Sequence, residues 1–212
     1  KVISVDPKVS EKKENVLQVI ASKKHQILDW IQELYPKEFT RKVRFEWSDN
    51  LLNMLFSSYL NALIGTISKE LKWDYSKTVR QFLAFDGYFS GEMNCTLVID
   101  EYYKFTSYRL RTLELYPDTL RVSFSIDEYK TLCNDYQNEA NEYQKNKPRK
   151  DFDFKGGAAT KRALYDTLMD MKPLSNGLNP TLRLHEYELV KINSRDSLKK
   201  LIDCRLNHKK ET

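Results

Sequence analysis

The chain has 212 residues, 41% hydrophobic and 31% charged, which argues against disorder and suffices for one domain with its own core. Its net charge of +5 and pI near 8.9 are mildly basic, compatible with a nucleic-acid partner without requiring one. Three widely spaced cysteines, Cys95, Cys133 and Cys204, with no CxxC, argue against a disulfide framework or a zinc site and favour a reducing compartment. No apolar run reaches the ~20 residues of a membrane span, and the opening residues lack a signal-peptide core. No membrane association and a cytoplasmic location are therefore expected.

Residues 1–12 are polar and read as loosely structured. From Asn15 to Tyr35, Val16, Leu17, Ile20, Ile27, Leu28, Ile31 and Leu34 recur at three and four, a helical period, and Pro36 follows the helix end. Lys37 to Arg44 reads as a basic connector. Ser48 caps a second, strongly apolar helix that holds its period through Trp73. Val79 to Phe85 is a short strand ending at the turn pair Asp86-Gly87. Cys95 to Phe105 is a second strand, rich in β-branched and aromatic residues. Arg121 to Ile126 alternates as a third. Ser125 and Glu128 have capping-box spacing, and a helix follows to about Lys145. A charged loop to Lys155 leads to Gly156-Gly157 and a helix from Ala158 to Met171. Pro173, Asn176-Gly177 and Pro180 form a connector, Leu182 to Val190 a fourth strand, and Ser194 caps a last helix. The order predicts an α/β (α+β) protein, one continuous domain. Residues 1–75 form a helical N-terminal part, and residues 76–212 an α/β core on a mixed central sheet of about four or more strands flanked by helices.

The chemistry concentrates between Phe85 and Arg109. Acids at the ends of adjacent strands converge, which is how a divalent-metal site for phosphodiester hydrolysis is built. Mg2+ (or Mn2+) takes one or two carboxylates with water and phosphate oxygens, and a nearby lysine orients the attacking water. Asp86, Asp100 and Lys104 supply that set. A regular strand puts Asp100 and Lys104 on one face and Glu101 on the other, which favours Asp100 as the ligand; a bulge would favour Glu101. Glu46 offers a further carboxylate. The bland alternative is a solvated strand edge, where acids and lysines are common. His25, His185 and His208 have no metal-ligand spacing, and no GxSxG elbow marks a serine hydrolase.

The order Asp86-Gly87, then Val98-Ile99-Asp100-Glu101-Tyr102-Tyr103-Lys104-Phe105-Thr106-Ser107-Tyr108-Arg109, resembles the core of the PD-(D/E)XK nuclease superfamily. It is most similar to a poorly characterised bacterial or phage restriction-endonuclease-like group. In that group an acid pair ending a strand precedes Gln-His-Phe-Thr and an arginine. Asp100-Glu101, Phe105-Thr106 and Arg109 match, and Tyr103-Lys104 replace Gln-His. Tyr116-Pro117, Tyr129, Cys133, the run Gly156 to Asp166 and the run Gly177 to Arg183 match further motifs in order, so the resemblance covers about residues 82–190. The superfamily's usual D/E-x-K spacing is replaced by Glu-x-x-Lys or Asp-x-x-x-Lys. The resemblance implies a Mg2+-dependent DNA endonuclease acting on double-stranded DNA, as a homodimer to cut both strands. Asp86 and Asp100, with Glu101 assisting, would hold metal, and Lys104 would orient water.

Backbone N–H groups at a helix start favour phosphate, so Gly156 and Gly157, with Lys155, Lys161 and Arg162, are the expected DNA-backbone contacts. The competing explanation is a plain glycine turn into an amphipathic helix. Arg80, Gln81, Arg109 and Arg111 flank the acids as further candidates. Two other functions fit the same residues. One is a non-cleaving nucleic-acid-binding relative of the fold. The other is a protein-interaction adaptor or inhibitor that uses the tyrosines.

Overall fold

Strand β3 (Cys95–Asp100) is buried along its whole length, so it must be covered on both faces. The computed structural model describes residues 23–48, 58–72, 83–145, 152 and 154–207. In it, β1 (Phe39–Val43) pairs antiparallel with β2 (Phe85–Phe89), and β2 antiparallel with β3. β3 pairs parallel with β4 (Asn179–His185), giving the order β1-β2-β3-β4. Helices α2 (Ser58–Glu70), α3 (Ser107–Glu114), α4 (Ile126–Lys145) and α5 (Gly157–Ser175) cover one face. There Phe85 and Val98 pack with Ile67, Leu113, Cys133 and Leu168. The other face belongs to α1 (residues 23–34), α6 (Glu186–Leu189) and α7 (Arg195–Asn207). Ile27, Ile31, Leu198 and Ile202 there meet Leu97, Ile99, Leu182 and Leu184. Leu182 and Leu184 are fully buried, worth about 1.5–3 kcal/mol each over exposure. The expected mixed sheet between helices is present. Because β1 comes from the helical N-terminal part, that part and the core share one domain.

Departures from the expected elements have local causes. The segment Lys37 to Arg44 holds β1, an edge strand in which Phe39 alone is buried, so its charges conceal the period. Asp86-Gly87 lies inside β2 rather than in a turn. Gly87 sits under the Phe39 ring, where a Cβ would come within 2.2 Å of a ring carbon. The hairpin turns later, at Gly91, with φ +69°. β3 stops at Asp100. β4 begins at Asn179 and stops at His185, where the Glu188 side chain accepts the His185 backbone N–H at 2.9 Å and starts α6.

Arg121 to Ile126 makes no strand. Instead the Ser123 hydroxyl donates to the Thr181 carbonyl at 2.6 Å and accepts the Arg183 N–H at 3.2 Å. One side chain thus gives β4 the donor and acceptor that a neighbouring strand would offer. Two of the expected caps form: Ser125 Oγ accepts Glu128 N–H at 3.1 Å and Ser194 Oγ accepts Ser197 N–H at 3.2 Å. Residues 15–22, 49–57, 73 and 79–82, on which parts of the first two helices and of the first expected strand fall, lie outside the described residues. Among the described residues no helix is long and apolar enough to cross a membrane.

Gly157 is buried where α5 starts against the main chain. A Cβ there would lie 1.8 Å from the Phe152 carbonyl oxygen. Backbone cannot retreat as a flexible side chain can. Gly157→Ala is expected to cost about 3 kcal/mol by overpacking, read as a lower urea midpoint with an unchanged slope.

Candidate active site

Past Asp100 the chain enters a 3-10 turn over Tyr102–Lys104. This turn, rather than a continued strand, brings Lys104 Nζ to 2.8 Å from Asp100 Oδ1. Arg183 Nη1, from β4, donates to both Asp100 oxygens at 2.7 and 2.8 Å, and the Tyr129 hydroxyl donates to Oδ2 at 2.8 Å. Arg183 Nε donates to Asp170 Oδ1 at 2.6 Å, and Nη2 to the Asp166 carbonyl at 2.8 Å. Arg109 Nη2 and the Tyr116 hydroxyl donate to Asp170 Oδ2 at 2.8 and 2.6 Å. Lys104 lies 3.6 Å from Asp166. Asp100, Asp166 and Asp170 thus face Lys104, Arg109 and Arg183, and all six are 7% exposed or less.

This is a buried, formally neutral network inside the helical layer, in which Asp166 Oδ2 alone of the carboxylate oxygens lacks a hydrogen-bond partner among the described residues. Burial alone would raise the Asp100 carboxyl, but Arg183 and then Lys104 hold it well below the usual carboxylate range. Burial and the Asp100 charge push the Tyr129 hydroxyl well above its ordinary value. Asp100 and Lys104, expected to hold metal and orient water, are instead bound to interior partners. Arg109, expected on DNA, is bonded within the same network.

Asp86 and Glu101 turn towards α1. Asp86 Oδ2 accepts the Ile99 backbone N–H at 2.7 Å, and Oδ1 lies 2.9 Å from Lys24 Nζ. The same ammonium lies 3.5 Å from Glu101 Oε2. These three side chains keep 20–25% of their surface in solvent. Burial would lower the Lys24 ammonium, yet Asp86 and Glu101 raise it above its ordinary value. The Tyr103 hydroxyl also donates to Glu101 Oε2, and the Arg162 guanidinium sits over the Tyr103 ring at 5.7 Å. Tyr103 in turn stacks on Tyr143, which is 38% exposed. Lys24, Ile99, Glu101 and Glu186 line one cleft. Burial, and then Glu101, push the Glu186 carboxyl up to about 7, with the Tyr102 backbone N–H opposing them.

The remaining candidates are spread out. Lys155 is exposed, and Gly156 precedes α5 with φ +85°. The Gly157 N–H donates to the Phe154 carbonyl at 2.8 Å, so this helix start has one fewer donor for phosphate than expected. Lys161 sits over the Tyr165 ring at 5.4 Å. Arg111 is exposed, 3.9 Å from Glu70. Glu46 is exposed in a 3-10 turn. His25 is exposed, and buried His185 places Nε2 3.2 Å from Glu128. Cys95, Cys133 and Cys204 form no disulfide with one another. Arg80, Gln81 and His208 lie outside the described residues.

Sequence reasoning missed Lys24 and Glu186, which no local spacing ties to Asp86 or Glu101. It also missed Asp166 and Asp170, although two aspartates one turn apart inside an apolar helical run are a legible sign of buried pairing. Two carboxylates and an ammonium in one partly exposed group fit the chemistry of Mg2+ or Mn2+ with a phosphate, which needs only one or two protein carboxylates. Among the described residues no group of three or more His, Cys, Asp or Glu is arranged to hold a metal ion.

No curated protein and no solved structure matches the chain. A family model described as a family of unknown function (DUF7255) matches residues 65–204, more than half of the chain and a span that holds Asp86, Glu101 and Glu186 but not Lys24. The chain belongs to that family.

Proposed function

We propose that the protein is a metal-dependent DNA endonuclease whose reactive centre is Asp86, Glu101 and Lys24. The observation that carries this is the meeting of Asp86 and Glu101, from adjacent strand ends, on one lysine beside a cleft. Asp86 and Glu101 would hold Mg2+ or Mn2+. When bound, the ion supplies charge for the phosphate and lowers the pKa of a water. Asp86 is anchored by the Ile99 N–H and Glu101 by Tyr103, so both carboxylates are oriented in advance. Lys24 provides the positive charge that steadies the developing anion. Arg162, over Tyr103, and exposed Lys155 are the cations for the DNA backbone.

The resemblance to PD-(D/E)XK nucleases supports the same chemistry. Lys24 supplies from α1 the lysine that the altered spacing after Glu101 displaces. Cutting both strands of a duplex asks for two such centres, hence a homodimer, and cysteines without a disulfide fit a reducing, cytoplasmic setting.

The test is nicking of supercoiled plasmid DNA in Mg2+ or Mn2+, with Glu101→Gln alongside. Wild type is expected to convert the plasmid to open-circular and linear forms, and the variant to leave it supercoiled. Intact plasmid with wild type over a panel of DNAs, or equal cutting by Glu101→Gln, would remove the assignment and leave the non-cleaving nucleic-acid-binding alternative.

A further inference from the structure

Glu186 begins α6, directly after β4, and is 5% exposed. Its Oε2 has no hydrogen-bond partner among the described residues. A buried carboxylate oxygen without a donor is costly, and such atoms in folded proteins generally mark an ion, a water or a catalytic group. Glu186 lines the same cleft as Glu101 and Lys24. The ammonium of Lys23, the other lysine of the cleft, is 2.6 Å from the Ile192 carbonyl and 3.1 Å from Gln26 Oε1. It is thus bonded elsewhere, not to Glu186. With Asp86, Glu101 and Glu186 all ionised, the three acids carry one negative charge more than Lys24 and Lys23 together balance. Both contacts to Glu101, from Lys24 and Tyr103, fall on Oε2.

We infer that Glu186 and Glu101 together form a divalent-cation position, with Glu186 contributing the Oε2 that no described residue engages. Two carboxylates select a hard cation with oxygen preference, Mg2+ or Mn2+, over a soft one. This rests on the proposed reactive centre, since Glu101 is one of the carboxylates already assigned there.

The experiment is calorimetric titration of the full chain with Mn2+ alone, without DNA. Tb3+ luminescence excited through tyrosine serves as a placement readout, because Tyr103 bonds Glu101 and Tyr102 precedes it in the same turn. Wild type is expected to bind Mn2+ saturably and to sensitise Tb3+. Glu186→Gln is expected to weaken Mn2+ at least tenfold and to lose most of the Tb3+ signal. Its thermal unfolding in EDTA should be unchanged or higher, because a buried unpaired charge has been removed. Unchanged Mn2+ affinity in Glu186→Gln, or no Mn2+ binding by wild type, overturns the inference. Glu186→Asp, which keeps the charge on a shorter arm, should retain more affinity than the glutamine variant; equal loss in both counts against ligation. If Mn2+ binding needs Glu186 while plasmid stays intact, the cation position stands and the nuclease assignment falls. If plasmid is cut equally by wild type and Glu186→Gln, and Mn2+ affinity is unchanged, the reverse holds.

Discussion

Arg183→Met is expected to bring the protein close to global unfolding. Arg183 binds Asp100 through both oxygens and also reaches Asp166 and Asp170, and it is 1% exposed. Without it, three buried carboxylates face only Lys104 and Arg109. Removing one partner of a buried charge group costs about 3–5 kcal/mol, against a total stability of roughly 5–15 kcal/mol for a domain. For a chain of this size that lowers the thermal midpoint by about 10–15 °C. A shift under about 3 °C would show that water or rearrangement compensates.

The same network sets the acid limit. Folded, Asp100 titrates well below the ordinary carboxylate range because Arg183 and Lys104 outweigh its burial. The unfolded chain therefore takes up the proton first. The stabilisation is complete above the ordinary aspartate pKa of about 4 and drains away as pH falls below it.

Lys24→Met and Lys104→Met are expected to fail in different ways. Lys24 bridges Asp86 and Glu101 at the cleft, partly in solvent, so its loss removes a charge from the proposed chemistry and little packing. Removing a preorganised group that stabilises developing charge typically slows an enzyme about 10²–10³-fold. Lys24→Met should nick plasmid slower by about that factor while melting near wild type. Lys104 is buried and pairs with Asp100 and Asp166. Lys104→Met should lower stability by about 3 kcal/mol or more, and the fraction still folded should cut at the wild-type rate. A fully folded, inactive Lys104→Met would return the catalytic lysine to the turn after β3.

Much of this was legible in the chain. β3 announced itself through Thr96 to Ile99, and α4, α5 and α7 through their period and caps. β1 did not, because an edge strand with one buried residue carries no alternating signal. Arg121 to Ile126 alternates as a strand should, yet Ser123 satisfies β4 with its side chain and the backbone pairs with nothing regular. Glu188 ended β4 early by capping α6, a local competition that β propensity does not register. At the site, Asp100 and Lys104 do lie together and apart from Glu101, but through the 3-10 turn over Tyr102–Lys104 and not through the strand's two-residue period. The side that carried the exposed acids was not legible. It depended on Arg183 and Lys24, which lie far from Asp100 and Glu101 in sequence and arrive only through the parallel β3–β4 pair and the packing of α1.

The Ser123 hydroxyl has a consequence for how the sheet ends. β4 is the last strand, and its Thr181 carbonyl and Arg183 N–H both meet that hydroxyl. Thr181 and Arg183 are buried, so without it a carbonyl and an N–H would be left inside the protein unpaired, at about 1–3 kcal/mol each. A single oxygen atom thereby closes the outer edge of the four-stranded sheet.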